Sequence, residues 1–513
     1  MRRPERKPAP RKSTRARAGR RLVLLVAAGA ALSVAVWVHQ TRGDHGQQIP
    51  AVPASAGSVQ TVAQRLQDAR QKAAKSGAPA DLEEFARLLH ANGYLREAEA
   101  CWRLLASLTP DNPQIWHFLA DVRRIAGDNE EARRLLQEVV RLEPDYAPAL
   151  LHLGNIALKR GDTETAQQLF SRRAKLLPND PHALLGLVRI EQQRGRDTAA
   201  AALAARLARQ HPQFSPGVNL HAEYLAQQGD VAGARWQRWL GREAGRFREA
   251  DDPWIDGLSA WCFDPKRLGV LGTIAFQTGR LTEAKPLLER AIALAPSDAS
   301  GYERLGDLAL QGGDPAGAVR VLAEGVRRAS PGVPASLWIA LAEAHRVAGD
   351  PAAALRVADD GLAALPGTPE IQGARGVALL DLNRASEALI AFDRAREGLP
   401  FDAELHFNRA LALLHAERTE DAIAALTQAL QIQPTFPKAL GLLAEVEMSR
   451  DNLDAAEPHL RALYESYPGL EEPKRLLREW HLQKARLALQ RGDATDAQRH
   501  RDTAQKWAAE LAR

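Results

Sequence analysis

Along most of the chain, large apolar residues recur at helical spacing around pairs of small ones. Counted in units of 34 residues, a small side chain stands at position 8: Ala86, Ala120 and Gly154, then Gly272, Gly306, Ala342, Gly376, Ala410 and Ala444. Alanine stands at position 20 of every unit, from Ala98, Ala132 and Ala166 to Ala422 and Ala456. Trp116 with Leu119, and Trp338 with Leu341, show the spacing that gathers apolar residues on one helix face. Two helices approach closely only where side chains are small, so positions 8 and 20 predict the crossing point within a helical hairpin. Prolines set the phase. Pro110, Pro144, Pro178 and Pro212, then Pro366, Pro400, Pro434 and Pro468, follow one another at intervals of 34 residues and predict where each second helix stops. Between the helices, Gly127-Asp128, Gly161-Asp162, Gly229-Asp230, Gly313-Asp314 and Gly349-Asp350 predict a turn. Glycine accepts the left-handed conformation that ends the first helix, and aspartate caps the second.

This pattern, with Trp or Leu at 4, Leu at 7, Gly or Ala at 8, Ala at 20, a large apolar residue at 24 and Pro at 32, resembles the tetratricopeptide repeat. Units beginning at residues 79, 113, 147, 181 and 215 form one run (79–240), and units beginning at 265, 299, 335, 369, 403 and 437 form a second (265–470). Position 8 departs from the pattern at Val188, and the fifth unit loses it after Ala234. The resemblance implies an all-α chain: a right-handed solenoid of about eleven helix-turn-helix repeats whose concave face binds extended peptides or partner domains. Residues 471–513 read as polar capping helices, as the outer end of a stacked array requires.

The N-terminus adds a second element. Residues 1–21 carry ten Arg and Lys against one acid, Glu5, a net of +9, so the remainder of a chain of net charge +5 sums to −4. The basic balance therefore belongs to a tail, and a mildly acidic array argues against nucleic acid as a partner. Residues 22–38 (LVLLVAAGAALSVAVWV) are uncharged and just long enough as a helix to span a bilayer core, with Trp37 placed at the interface. The charge asymmetry predicts a single-pass inner-membrane anchor with residues 1–21 in the cytoplasm and the repeats in the periplasm. A cleaved signal peptide is the competing reading; the small-residue site Ala54-Ser55-Ala56 lies far downstream for it. Residues 39–58, stiffened by Pro50 and Pro53, predict an extended solvated linker, followed by a short polar helix that leads into the first repeat.

The period fails once, over residues 241–264. Trp236, Trp239, Trp254 and Trp261 crowd into this neighbourhood, four of the ten tryptophans of the chain. Two readings are open. The rings plug the apolar ends of two half-arrays, or they form a docking site rimmed by Asp251, Asp252 and Asp256, since tryptophan supplies much binding energy at small entropic cost. The two cysteines, Cys101 and Cys262, lie some five hairpins apart, a separation a solenoid does not bridge with a disulfide. Cys101, beside Trp102, is expected as a core filler.

By the resemblance, positions 5 and 9 of each first helix face the groove. In the first array these give Arg87, His117, Asp121, Asn155 and Arg189, a mixed polar row. In the second they give Glu303, Asp307, Glu343 and Phe407, together with Val377 and Leu411: acidic early, apolar late, as suits a basic amphipathic segment. The carboxylate clamp of chaperone-binding relatives is not present, because Asn408 and Lys438 fit two of its places but Gly373, Val377 and Leu442 occupy the others. No phosphate-binding loop, nucleophile elbow or metal-ligand spacing occurs, and His406 and His415 share a helix at the wrong interval. The expectation is a non-enzyme without cofactor, metal or small-molecule substrate. Its partners are other proteins or peptide segments, held at the membrane for envelope assembly or export of the polysaccharide, pilus or cytochrome-maturation kind. The alternatives are an accessory subunit of a membrane or periplasmic enzyme, and an organelle import receptor with cytosolic repeats.

Overall fold

The computed structural model describes residues 48–512 except 245, 246 and 248. The basic tail and the apolar segment 22–38 lie outside the described residues. Among the described residues the chain is helical and contains no strand, and no helix is long and apolar enough to cross a membrane.

Each expected unit is a helical hairpin, and the first helices begin where the proline phase places them: at Pro79, Pro113, Ala147, Pro181, Ser215, Pro265, Ala299, Ala335, Pro369, Ala403 and Pro437. Each is 13 residues long. The fifth unit keeps its second helix, Val231–Glu243, at 13 residues against the 14 of most others, although the sequence pattern fades after Ala234. The last pair, Glu471–Gln490 and Ala494–Leu511, is longer than the rest. A lead-in helix, Gln60–Ser76, precedes the first repeat. Of the expected linker, residues 39–47 lie outside the described residues; in the rest Ala51, Ala54 and Ser55 are exposed, while Ile49 and Ala56 are buried and Arg70 donates to the Pro50 carbonyl at 2.8 Å.

The turns carry the expected chemistry. Gly127, Gly161, Gly229, Gly313 and Gly349 all have φ between 74° and 82°. The Asp128 carboxylate accepts from the Glu131 N–H, Asp162 from Thr165, Asp230 from Gly233, Asp314 from Gly317 and Asp350 from Ala353. Position 8 is small for a specific reason. A methyl group at Gly154 would stand 2.8 Å from the Phe170 ring, one at Gly272 2.8 Å from Leu288, and one at Gly306 2.7 Å from Leu322. These partners are the position-24 residues of the same hairpins, so the missing side chain on one helix admits the large one on the other.

The chain divides into two compact units. One comprises the residues to Pro144 together with Pro253–Cys262; the other comprises Asp145–Asp252 and Phe263 onward. The division falls after the second repeat and again inside the interruption. The core of the first unit is aromatic: Phe85, Trp102 and Phe118 are fully buried, with Trp102 and Phe118 centroids 4.7 Å apart. The second unit repeats one small core per hairpin junction, such as Tyr302, Leu322, Leu337 and Leu341, then Phe392, Leu379 and Leu405, then Phe407, Leu426, Phe436 and Leu443. Each fully buried side chain of this size contributes roughly 1.5–3 kcal/mol.

Candidate functional site

In the second unit, the first helices Ala335–Val347, Pro369–Asp381 and Ala403–His415, with the start of Pro437–Ser449, line a groove of about 930 Å³. Its floor is apolar, with Val377, Leu380 and Leu411 half-buried and Phe407 packed edge-on against Phe436 at 5.5 Å. Five carboxylates, Glu343, Glu370, Asp381, Asp402 and Glu404, line it against Arg346 and Lys438. The two cations are committed. Arg346 holds both oxygens of Glu343 at 2.7 Å and lies 3.5 Å from Asp381, and its hydrogen bonds to the Glu343 carboxylate chiefly raise its pKa. Lys438 binds Glu404 at 2.8 Å and sits 5.9 Å over the Phe407 ring. The acidic early end is thus partly neutralised from within, and the lining still carries a surplus of negative charge.

Of the other residues expected on this face, Glu303 accepts from the Ser336 hydroxyl at 2.5 Å, and Asp307 lies 3.5 Å from Arg304 with its pKa raised by burial. Both stand one hairpin earlier, outside the groove lining. Asn155 and Arg189 also belong to the second unit, the former half-buried and the latter exposed.

The first-unit candidates are engaged within the chain. Arg87 holds Glu83 at 2.6 Å, donates to Gln114 at 2.8 Å and lies over Phe118. Asp121 is buried, paired with His90 at 3.2 Å and with Arg124 at 2.6 Å. Burial alone would raise its pKa, but the His90 hydrogen bond and the Arg124 charge outweigh it and hold the carboxyl at about 2. His117 is buried beneath Trp254, with ring centroids 5.5 Å apart and planes at 72°. The backbone carbonyl of Trp261 accepts from the Asn92 side chain at 3.0 Å.

Family models described as tetratricopeptide repeat match residues 84–147 and 270–334; 124–175, 157–224 and 413–479; and 335–377, together more than half of the chain. The chain belongs to the tetratricopeptide repeat family. Among solved structures it is similar to yeast Tom70, at 13% identity over 80% of this chain and 96% of that one, with a TM-score of 0.37. It is also similar to the APC/C hetero-tetramer Cut9-Hcn1, at 12% identity over 75% and 93%, TM-score 0.36. A third is MamA 41-end from Desulfovibrio magneticus RS-1, at 24% identity over 33% and 94%, TM-score 0.29. Likeness at these levels is one of repeat architecture. No relative matches among curated proteins. As a tetratricopeptide repeat protein, the chain is a scaffold for protein–protein interaction.

Sequence reasoning missed how the interruption packs. In the second unit, Phe247 meets His182 and Phe214 at 5.7 and 5.8 Å, Ala250 joins the cluster around Leu151 and Phe170, and buried Asp252 accepts from the Tyr146 hydroxyl at 2.5 Å. No period or motif marks Phe247, Ala250 and Asp252, because they lie outside the repeats. Also missed was an aromatic cluster on the last helix pair, where His481 and His500 place their Nδ1 atoms 2.8 Å apart beside Trp480. Burial, then the neighbouring His500, lowers the His481 pKa to about 4.

Proposed function

We propose that this tetratricopeptide repeat scaffold is non-catalytic and works through the groove of its second unit, taking up a basic amphipathic segment of a partner protein. The observation that carries the reading is the lining: five carboxylates against two cations around the apolar floor of Val377, Leu380, Phe407 and Leu411. Surplus negative charge speeds the encounter with a cationic segment and disfavours acidic ones, while the apolar floor supplies the affinity. The test is a photo-crosslinking residue at Leu411 in the full chain in cells, with the captured segment sequenced. A segment rich in Lys or Arg with apolar residues at helical or alternating spacing supports the reading. Capture of acidic segments, or of nothing, overturns it.

We further propose that residues 22–38 anchor the scaffold in a bacterial inner membrane, with the repeats in the periplasm and an assembly or export machine as client. The support is in the sequence: an uncharged run of 17 residues behind a tail of net charge +9. Alkaline phosphatase fused after Arg513 tests this. Activity supports the periplasmic placement, and an inactive fusion that is stably produced overturns it.

A further inference from the structure

We propose that Pro253–Cys262 is the resident ligand of the groove formed by the first two repeats, and that this groove is closed to outside partners by the chain itself. Among the described residues, the first unit comprises the short turn Ala54–Ser58 and the chain around it, the lead-in helix, two hairpins and this segment. The short helix Pro253–Asp256 packs on the first helix of the second repeat, Pro113–Ile125, and the turn Gly257–Trp261 packs on the first helix of the first repeat, Pro79–Ala91. Read along its own direction, the segment therefore visits the second repeat before the first. It lies across first helices as a bound peptide would, running against the order of the repeats.

The contacts fall where the groove was expected. His117, at position 5 of its repeat, is 1% exposed under the edge of Trp254, and Asp121, at position 9, is 6% exposed. The Asn92 side chain donates to the Trp261 carbonyl, a bond that fixes the backbone without reading its sequence. Leu258 and Cys262 are buried at 5% and 0% exposure. The groove floor is charged but self-balanced, since Asp121 is held between His90 and Arg124. An occupant of this groove needs no charge of its own, only apolar anchors, and the segment brings Trp254 and Leu258.

Tethering decides the competition. A segment joined to the chain that binds it competes intramolecularly, so its effective concentration does not depend on how much protein the cell holds. An external peptide making the same contacts with micromolar affinity does not displace it at cellular concentrations. His117 then serves the resident segment, Arg87 and Asp121 are engaged by neighbouring side chains of the repeats, and partner recognition is left to the second unit.

The experiment uses the full chain with residues 253–262 replaced by a Gly-Ser stretch of equal length, and a fluorescein-labelled peptide of residues 251–264 as probe. The expected result is that the replaced chain binds the peptide about tenfold or more tighter than the unaltered chain. Equal binding by the two, or no binding by a replaced chain of unchanged helicity, overturns the proposal. Should the replaced chain unfold, thiol alkylation of the unaltered protein decides, read by mass spectrometry at Cys262 and Cys101. Cys262 protected relative to the free peptide, and exposed about tenfold faster by Trp254→Ala while Cys101 stays protected, supports it. Alkylation of Cys262 at the rate of the free peptide, or no response to Trp254→Ala, overturns it.

Discussion

Asp121 illustrates what a single side chain does in this fold. Its carboxyl titrates at about 2 in the folded chain against the usual 3.8, because the His90 hydrogen bond and the Arg124 charge overcome the cost of burial. The unfolded chain therefore binds this proton first as pH falls, so the contribution is complete above about pH 5 and is lost toward pH 2. The shift corresponds to about 2 kcal/mol. Asp121→Asn is expected to lower stability by about that amount at pH 7, with the deficit shrinking as urea titrations are repeated toward pH 3. A deficit independent of pH would mean that packing, not charge, is what Asp121 supplies. Position 9 was legible in the first run of repeats as a polar place, but the fate of its side chain was not. Whether Asp121 faces a partner or His90 depends on a neighbouring helix and on a segment more than a hundred residues away, which no local pattern encodes.

Hairpins were the most legible level, because everything that makes them is local. The turn glycine, the capping aspartate and the small residue at position 8 all act within one unit, and all stand at a fixed offset from the prolines. Two neighbouring glycines on the helix Pro369–Asp381 separate the possible reasons for a glycine there. A side chain at Gly373 meets nothing within 4 Å, whereas one at Gly376 would run into the buried ring of Phe392. Gly373→Ala is expected to raise stability by roughly 0.5–1 kcal/mol, the ordinary gain of alanine over glycine inside a helix. Gly376→Ala, by overpacking, is expected to lower it by about 1–3 kcal/mol. Thermal unfolding of the two variants side by side checks both signs; two stabilised variants would mean that Phe392 yields easily. The cap offers an independent check one hairpin earlier. Asp350 accepts from the Ala353 N–H at 2.9 Å at the start of Pro351–Ala364, and Asp350→Ala should cost about 1 kcal/mol. An unchanged denaturation midpoint would show that solvent satisfies that N–H as well as the carboxylate does.

At the scale of the molecule, a stacked array is held chiefly by contacts between neighbours, and in the second unit one departure from that rule joins repeats that lie far apart in the array. The helix Val231–Glu243 of the fifth repeat touches the end of Leu453–Ser466 in the eleventh. Arg242 donates to the Ser466 carbonyl and lies 5.5 Å from the centroid of the Tyr467 ring, Arg235 approaches Glu465 at 3.5 Å, and the Trp239 ring lies against Gly469. Sequence reasoning placed Trp239 in the tryptophan-rich neighbourhood but had no means to pair it with a residue 230 positions on. Periodicity describes the step from one repeat to the next, not where many steps lead. The exposed ion pair adds little by itself; the close seat of Trp239 on a residue without a side chain is the selective part of the contact. A side chain at Gly469 would occupy the space of the indole, so Gly469→Val is expected to part the two helices while leaving every hairpin intact. Small-angle scattering should then show a larger radius of gyration at unchanged helical ellipticity, with Gly469→Ala giving a smaller change in the same direction. Scattering curves that superimpose with those of the unaltered chain would show that the indole finds another seat, and that neighbour-to-neighbour stacking alone sets the curvature of the second unit.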